Sequence, residues 1–143
     1  MNVDTSVDAT ADLASAWSAL TDVADWPRWT ESMTKVERLD DGPLRVGSRA
    51  RVEQPGMRPM IWEVTELRPE REFAWAARVP GVRIVGRHLL AANADGTTRI
   101  TLELAVDGPL AGVINALTGK RSRRYLGLEA NGLKAASEAA ARG

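Results

Sequence analysis

Residues 109–142 constrain the fold of this chain more than any other stretch. The run opens at Asp107-Gly108-Pro109, a turn from which proline can enter the first helical turn without losing a needed donor. Leu110, Val113, Ile114 and Leu117 then recur at i, i+3, i+4 and i+7, one stripe of a helix. Beyond Thr118-Gly119 a second stripe follows, made of Tyr125, Leu126, Glu129, Leu133, Ala136 and Ala140. At about 100° per residue the second stripe is rotated by most of a quarter turn from the first, which predicts a kink or break near Gly119. A helix of roughly 30 residues is about 45 Å long and cannot bury itself. Something else has to cover one flank.

The preceding residues supply a cover. Val3, Thr5 and Val7 alternate with polar neighbours, a strand signal. Asp8 or Thr10 is placed to cap a helix whose buried face is Leu13, Trp17 and Leu20. A very short second helix is expected over 22–27, turning at Trp26-Pro27 because proline disfavours the helical conformation of the residue before it. Six β-rich runs follow, over 33–39, 48–54, 60–67, 72–79, 82–93 and 97–106. They are separated by Asp41-Gly42-Pro43, Pro55-Gly56, Pro69-Glu70, Pro80-Gly81 and Asp95-Gly96. Short links between consecutive strands predict an antiparallel meander. The run over 48–54 is the candidate for an exposed edge strand.

If Asp95-Gly96 forms a two-residue hairpin turn, the register follows. Leu89 then faces Leu102, Arg87 faces Leu104 and Val85 faces Val106, on the face that Ile100 and Leu102 mark as apolar. His88 falls on the opposite face beside Glu103, at the surface. A slip of one residue reverses every one of these assignments.

Composition narrows the function. A chain of 143 residues is expected to be one domain, burying about two thirds of its unfolded surface. Nineteen basic and nineteen acidic residues cancel, so no global field draws it to nucleic acid, and no nucleic-acid partner is expected. The absence of cysteine excludes disulfides and thiol catalysis, and fits a reducing compartment. With a single histidine and no cysteine, no metal site is expected. No apolar run reaches the length of a membrane span and the N-terminus lacks a signal-peptide layout, so a cytoplasmic location without stable membrane insertion is the expectation. Five tryptophans accompany one phenylalanine and one tyrosine. Indoles suit a core and equally the wall of a cavity.

Trp17-Ser-Ala-Leu-Thr-Asp22 followed by Trp26-Pro-Arg-Trp29 resembles the opening of polyketide cyclase/dehydrase-like proteins of the START-like (SRPBCC) superfamily. Residues 95–101 (Asp-Gly-Thr-Thr-Arg-Ile-Thr) and 108–112 (Gly-Pro-Leu-Ala-Gly) resemble that family too, and the likeness runs from about Val3 to Ala139. It implies a single α+β domain over 1–143 with a helix-grip fold. A curved seven-stranded antiparallel sheet would wrap around the long C-terminal helix, with two short helices after the first strand. The resemblance also implies a cavity between sheet and helix, and a lipid-like, aromatic or polyketide-like ligand. It specifies the fold well and the activity poorly, since no catalytic signature is matched.

Candidate site residues follow from this picture. Met60, Trp62 and Phe73, Trp75 occupy facing strand positions as pocket wall, joined by Leu89, Leu104, Ile114 and Leu117. Trp26, Trp29, Met33 and Met57 are expected near the mouth. Arg87 is the candidate anchor for a carboxylate, phenolate or carbonyl, and Tyr125 a candidate hydroxyl; both are candidate catalytic groups. Each also has a plain reading, as core packing or as an outward side chain. The basic cluster over 120–124 reads first as a solvated helix face. The favoured function is binding of a small apolar molecule. Alternatives are a cyclase/dehydrase-type enzyme without metal or organic cofactor, and a ligand-free interaction module.

Overall fold

The computed structural model describes residues 2–143. In chain order it contains β1 (Asn2–Ala9), α1 (Leu13–Thr21), a 3-10 helix (Val23–Arg28), β2 (Lys35–Arg38) and β3 (Arg49–Glu53). There follow β4 (Met60–Arg68), β5 (Glu72–Val79), β6 (Val82–Ala92), β7 (Thr98–Asp107) and α2 (Ala111–Arg142). Strands β2 to β7 pair antiparallel with their sequence neighbours, and β1 joins the free side of β7, giving the order β1-β7-β6-β5-β4-β3-β2. The open sheet curves around α2 in an α+β, helix-grip arrangement. Its edges are β1 and β2. Strand β3, expected at an edge, lies between β2 and β4.

Helix α1 starts later than the candidate caps suggested. Asp12 is the cap, its carboxylate accepting from the Ser15 N–H at 3.1 Å. Leu20 and Ala16 are fully buried, while Leu13 and Trp17 pack half-buried on the core. The 3-10 helix carries Trp26 into the interior, where its indole N–H donates to the Leu20 carbonyl at 3.0 Å. Trp26 then packs its faces and edges on Trp29, Phe73, Trp75 and His88, with centroid separations of 5.1–6.1 Å.

Helix α2 is unbroken across Gly119, contrary to the kink inferred from the two stripes. Its 32 residues extend about 48 Å. A continuous helix has one phase, and here the C-terminal half sets it: Leu126, Glu129, Ala130, Leu133 and Ser137 are buried along one face. Leu117 then falls about 160° around the helix from Leu133. It is 76% exposed, and Leu110 and Val113 are exposed with it. Of the first stripe only Ile114 turns toward the sheet. Helix α2 lies against α1, β1 and β7. At Gly132 it approaches the 3-10 region so closely that a Cβ would collide with the Trp29 carbonyl and lie 2.7 Å from its ring.

The β6–β7 register differs by one residue from the expectation, and the turn explains why. The loop has three residues, Ala94, Asp95 and Gly96: the Gly96 N–H reaches Asn93 O at 3.2 Å and the Asn93 N–H reaches Thr97 O at 2.9 Å. Gly96 has φ +88°, the left-handed residue that follows a type I turn in such hairpins. Asp95 accepts from both the N–H and the hydroxyl of Thr97, locking the loop. The slip places His88 opposite Leu102 and Arg87 opposite Glu103, so the faces of both are reversed.

No helix among the described residues is long and apolar enough to cross a membrane.

Candidate functional site

The concave face of the sheet and the middle of α2 do not meet everywhere. Between them lies a cavity of about 120 Å³. One wall is the indole pair Trp62 and Trp75, with centroids 5.6 Å apart. Gly86 on the neighbouring strand leaves room for these rings; a Cβ there would sit 3.4 Å from the Trp75 pyrrole edge and 3.8 Å from Trp62. Met60, Ile84, Leu104 and Val106 continue the sheet wall, and Met33 and Met57 enter from the loops. The opposite wall is α2, through Ile114, Thr118, Ser122, Tyr125, Leu126 and Glu129. These recur at helical spacing, so a single face of α2 both seals the cavity and, further along, packs the core.

The solvent side is fastened by two bonds from α2 to the β3–β4 loop. The Tyr125 hydroxyl donates to Pro55 O at 2.7 Å, and the Arg121 guanidinium donates to Gly56 O at 3.2 Å. The remaining members of the basic cluster, Lys120, Arg123 and Arg124, are exposed.

The sequence-derived candidates divide cleanly. Met33, Met60, Trp62, Trp75, Leu104, Ile114 and Tyr125 line the cavity, as does Met57. Trp26 and Phe73 are fully buried in the layer of rings adjoining Trp75 and do not line the cavity. Trp29 is half-buried against Gly132. Leu89 sits on the convex face opposite Thr101, and Leu117 is exposed. Arg87 borders the cavity from β6. Its guanidinium leaves on the convex face and grips Glu72, with nitrogen–oxygen distances of 3.1 and 2.8 Å to one carboxylate oxygen. Arg87 is therefore no internal anchor; the register slip moved it outside.

What the slip brought inside is His88. It is 3% exposed, stacked on Phe73 with centroids 4.9 Å apart. Nδ1 lies 2.9 Å from Phe73 O and Nε2 lies 3.0 Å from Glu129 Oε1. The tautomer follows from the partners. A carbonyl only accepts, so Nδ1 carries a proton and donates to Phe73. One further proton is shared across the Nε2···Oε1 contact, giving either imidazolium with carboxylate or imidazole with carboxylic acid. The sequence pattern alone marks Glu129 only as part of a helical stripe, and the two-residue turn makes His88 a surface residue. The signal was available: Val82, Ile84, Gly86, His88 and Leu90 alternate against Arg83 and Arg87 along β6.

The indole of one wall residue lacks a partner among the described residues. The Trp62 indole N–H is buried and unbonded, although Trp62 lies against the cavity. Among the described residues no cluster of three His, Cys, Asp or Glu side chains is arranged to hold a metal ion.

The same architecture is found in solved structures. A hypothetical protein of Helicobacter pylori, jhp0584, superposes with a TM-score of 0.82 at 18% identity, over 96% of this chain and 88% of that one. TTHA0849 from Thermus thermophilus gives 0.78 at 16% identity, over 98% and 99%. The di-domain ARO/CYC BexL from the BE-7585A biosynthetic pathway gives 0.70 at 17% identity, over 92% of this chain and 45% of that one. At these identities the likeness speaks for the fold. No curated protein matches by sequence. A family model described as polyketide cyclase / dehydrase and lipid transport matches residues 1–138. The chain belongs to that polyketide cyclase / dehydrase and lipid transport family.

Proposed function

We propose that this protein binds a small apolar molecule in the cavity between the sheet and α2. The observation that carries the reading is the cavity wall itself. Two indoles, three methionines and five aliphatic side chains of the sheet and α2 face a space that the core leaves unfilled. A cavity of about 150 Å³ lined by apolar groups takes up benzene, so the 120 Å³ here, which is open on one side, suits one small ring whose short substituent reaches toward the opening, or a short branched chain. Methionines at the rim give a wall that adapts to shape.

The test is a titration of tryptophan fluorescence with single-ring aromatic and short aliphatic ligands. Binding in the micromolar range is expected, weakened at least tenfold by Trp62→Ala and unaffected by Lys120→Ala, about 1.4 kcal/mol against none. A wide panel that changes neither fluorescence nor melting temperature contradicts the reading.

The His88–Glu129 pair favours a second reading, a cyclase/dehydrase-type enzyme. A carboxylate that shares a proton with an imidazole on the cavity wall is placed for general base work on a carbonyl compound that enters there. Glu129→Gln would then abolish turnover of a poly-β-carbonyl probe while leaving its binding; unchanged turnover removes Glu129 from the chemistry.

A further inference from the structure

We infer that the buried end of the cavity selects a hydrogen-bond donor on the ligand, a hydroxyl or an amine N–H, and rejects a carboxylate. This inference rests on the cavity being a binding site and specifies what it takes. His88 Nδ1 is committed to Phe73 O, so its hydrogen is spent. The contact of Nε2 with Glu129 Oε1 holds a single hydrogen, on whichever of the two atoms it resides. If the hydrogen is on nitrogen, Glu129 is a carboxylate and its second oxygen, Oε2, accepts. If it is on Oε1, Oε2 is the carbonyl oxygen of the acid, and again accepts. Under both arrangements the pair presents an acceptor and has no hydrogen left to offer.

Oε2 is the atom in question. It makes no hydrogen bond to the described residues, whereas Oε1 does. It is absent from the buried atoms that lack partners, so it retains accessible surface, and Glu129 lines the cavity with its side chain 11% exposed. Glu129 stands in the buried row of α2 beside Leu126 and Ala130, away from the fastening at Pro55 and Gly56. Among the described residues that line the cavity, the two arginines are engaged elsewhere. Arg121 is held at Gly56 by its own bond, and Arg87 is paired with Glu72 on the other face of the sheet. A ligand carboxylate at that end meets an acceptor with no donor to spare, which is costly where water is excluded. A phenol, an alcohol or an amine meets the partner that Oε2 lacks.

Three probes of one size separate the possibilities by calorimetric titration: propylbenzene, 4-propylphenol and 4-propylbenzoate. For the wild type, 4-propylphenol is expected to bind about tenfold tighter than propylbenzene, the worth of one hydrogen bond to an ionised or acidic acceptor, with 4-propylbenzoate weakest. Glu129→Gln retains the phenol preference, because the amide N–H donates to His88 Nε2 and the amide oxygen stays free to accept. The double variant His88→Leu/Glu129→Leu removes both acceptors, the carboxyl oxygen and the imidazole Nε2, and loses the preference while propylbenzene still binds. Equal affinity for phenol and propylbenzene in the wild type overturns the inference and leaves the cavity reading intact. So does tightest binding of the benzoate, or a phenol preference that survives the double variant. If no probe binds any variant, the cavity reading itself fails.

Discussion

His88 shows how far one residue of register carries. Turned outward, it would be a solvated side chain beside Glu103; turned inward, it is the sole partner, among the described residues, of a carboxyl group in the core face of α2. Removing one member of a buried pair leaves the other desolvated and uncompensated, so His88→Leu is expected to lower stability by about 3–5 kcal/mol. The double variant His88→Leu/Glu129→Leu should recover much of that loss, since an apolar pair needs no proton. Urea denaturation of the four proteins in this cycle measures both; an additive double variant contradicts the pairing. The sequence did contain the cue for the correct register. Asn93 at the first position and Gly96 at the fourth fit a type I turn with a left-handed residue after it, and that loop has three residues, where the Asp95-Gly96 reading counted two. Counting apolar neighbours along β6, which favoured His88 inside and Arg87 outside, would have decided between them.

At the scale of the element, α2 is one helix whose two halves do different jobs. From Leu126 onward it packs tightly, and before that it roofs a space. Strand positions were legible because alternation and turn residues act locally, and Met60, Trp62 and Val64, or Phe73, Trp75 and Ala77, share faces as their spacing requires. The phase of α2 was less legible. Two apolar stripes on one continuous helix cannot both be buried, and which one wins depends on the sheet it meets. Leu133 is fully buried and Leu117 is 76% exposed. Leu133→Ala should therefore cost about 2–5 kcal/mol and Leu117→Ala less than about 0.5 kcal/mol. Comparable losses at the two positions would mean that the phase of α2 is misassigned. Gly132→Ala is the converse case, where a single methyl group must displace the Trp29 main chain or α2. A loss of about 1–3 kcal/mol is expected from this overpacking. A stabilised Gly132→Ala protein, as the better helix former would give on an open surface, contradicts the close approach.

For the whole molecule, the sheet, both helices and the loops are tied by carboxylates. The Thr10 N–H, and then Lys134, hold the Glu138 carboxyl below its usual range, fastening the end of α2 to the β1–α1 link. The Arg49 N–H leads the groups that lower Asp40, with Ser48 and Arg38; Arg99, then Asn93, lower Asp8; Ser15 lowers Asp12. Each of these groups has a folded pKa below its unfolded one. Its contribution is therefore fully present above the unfolded value and lost as pH falls through the folded value. Stability should hold near neutrality and decline as pH drops from about 5 toward 3. Glu138→Gln should flatten that decline; an identical pH profile for the variant would show that the tie at Thr10 is not formed. The fold was readable at this scale because seven strands and a terminal helix leave few alternatives. The cavity wall was readable in its large apolar residues. Its polar end was not, because Glu129 and His88 are far apart in the chain and each is unremarkable alone.

The claim on which the account depends is that an apolar molecule enters between the sheet and α2 and rests on Trp62 and Trp75. The five indole N–H resonances of a ¹⁵N-labelled sample report on this directly during titration with 4-propylphenol. The signals of Trp62 and Trp75 should move together and saturate, while that of Trp17, which lies outside the cavity, stays in place. Movement of Trp17 with Trp62 and Trp75 unchanged would contradict the account, as would five unmoved signals at millimolar ligand.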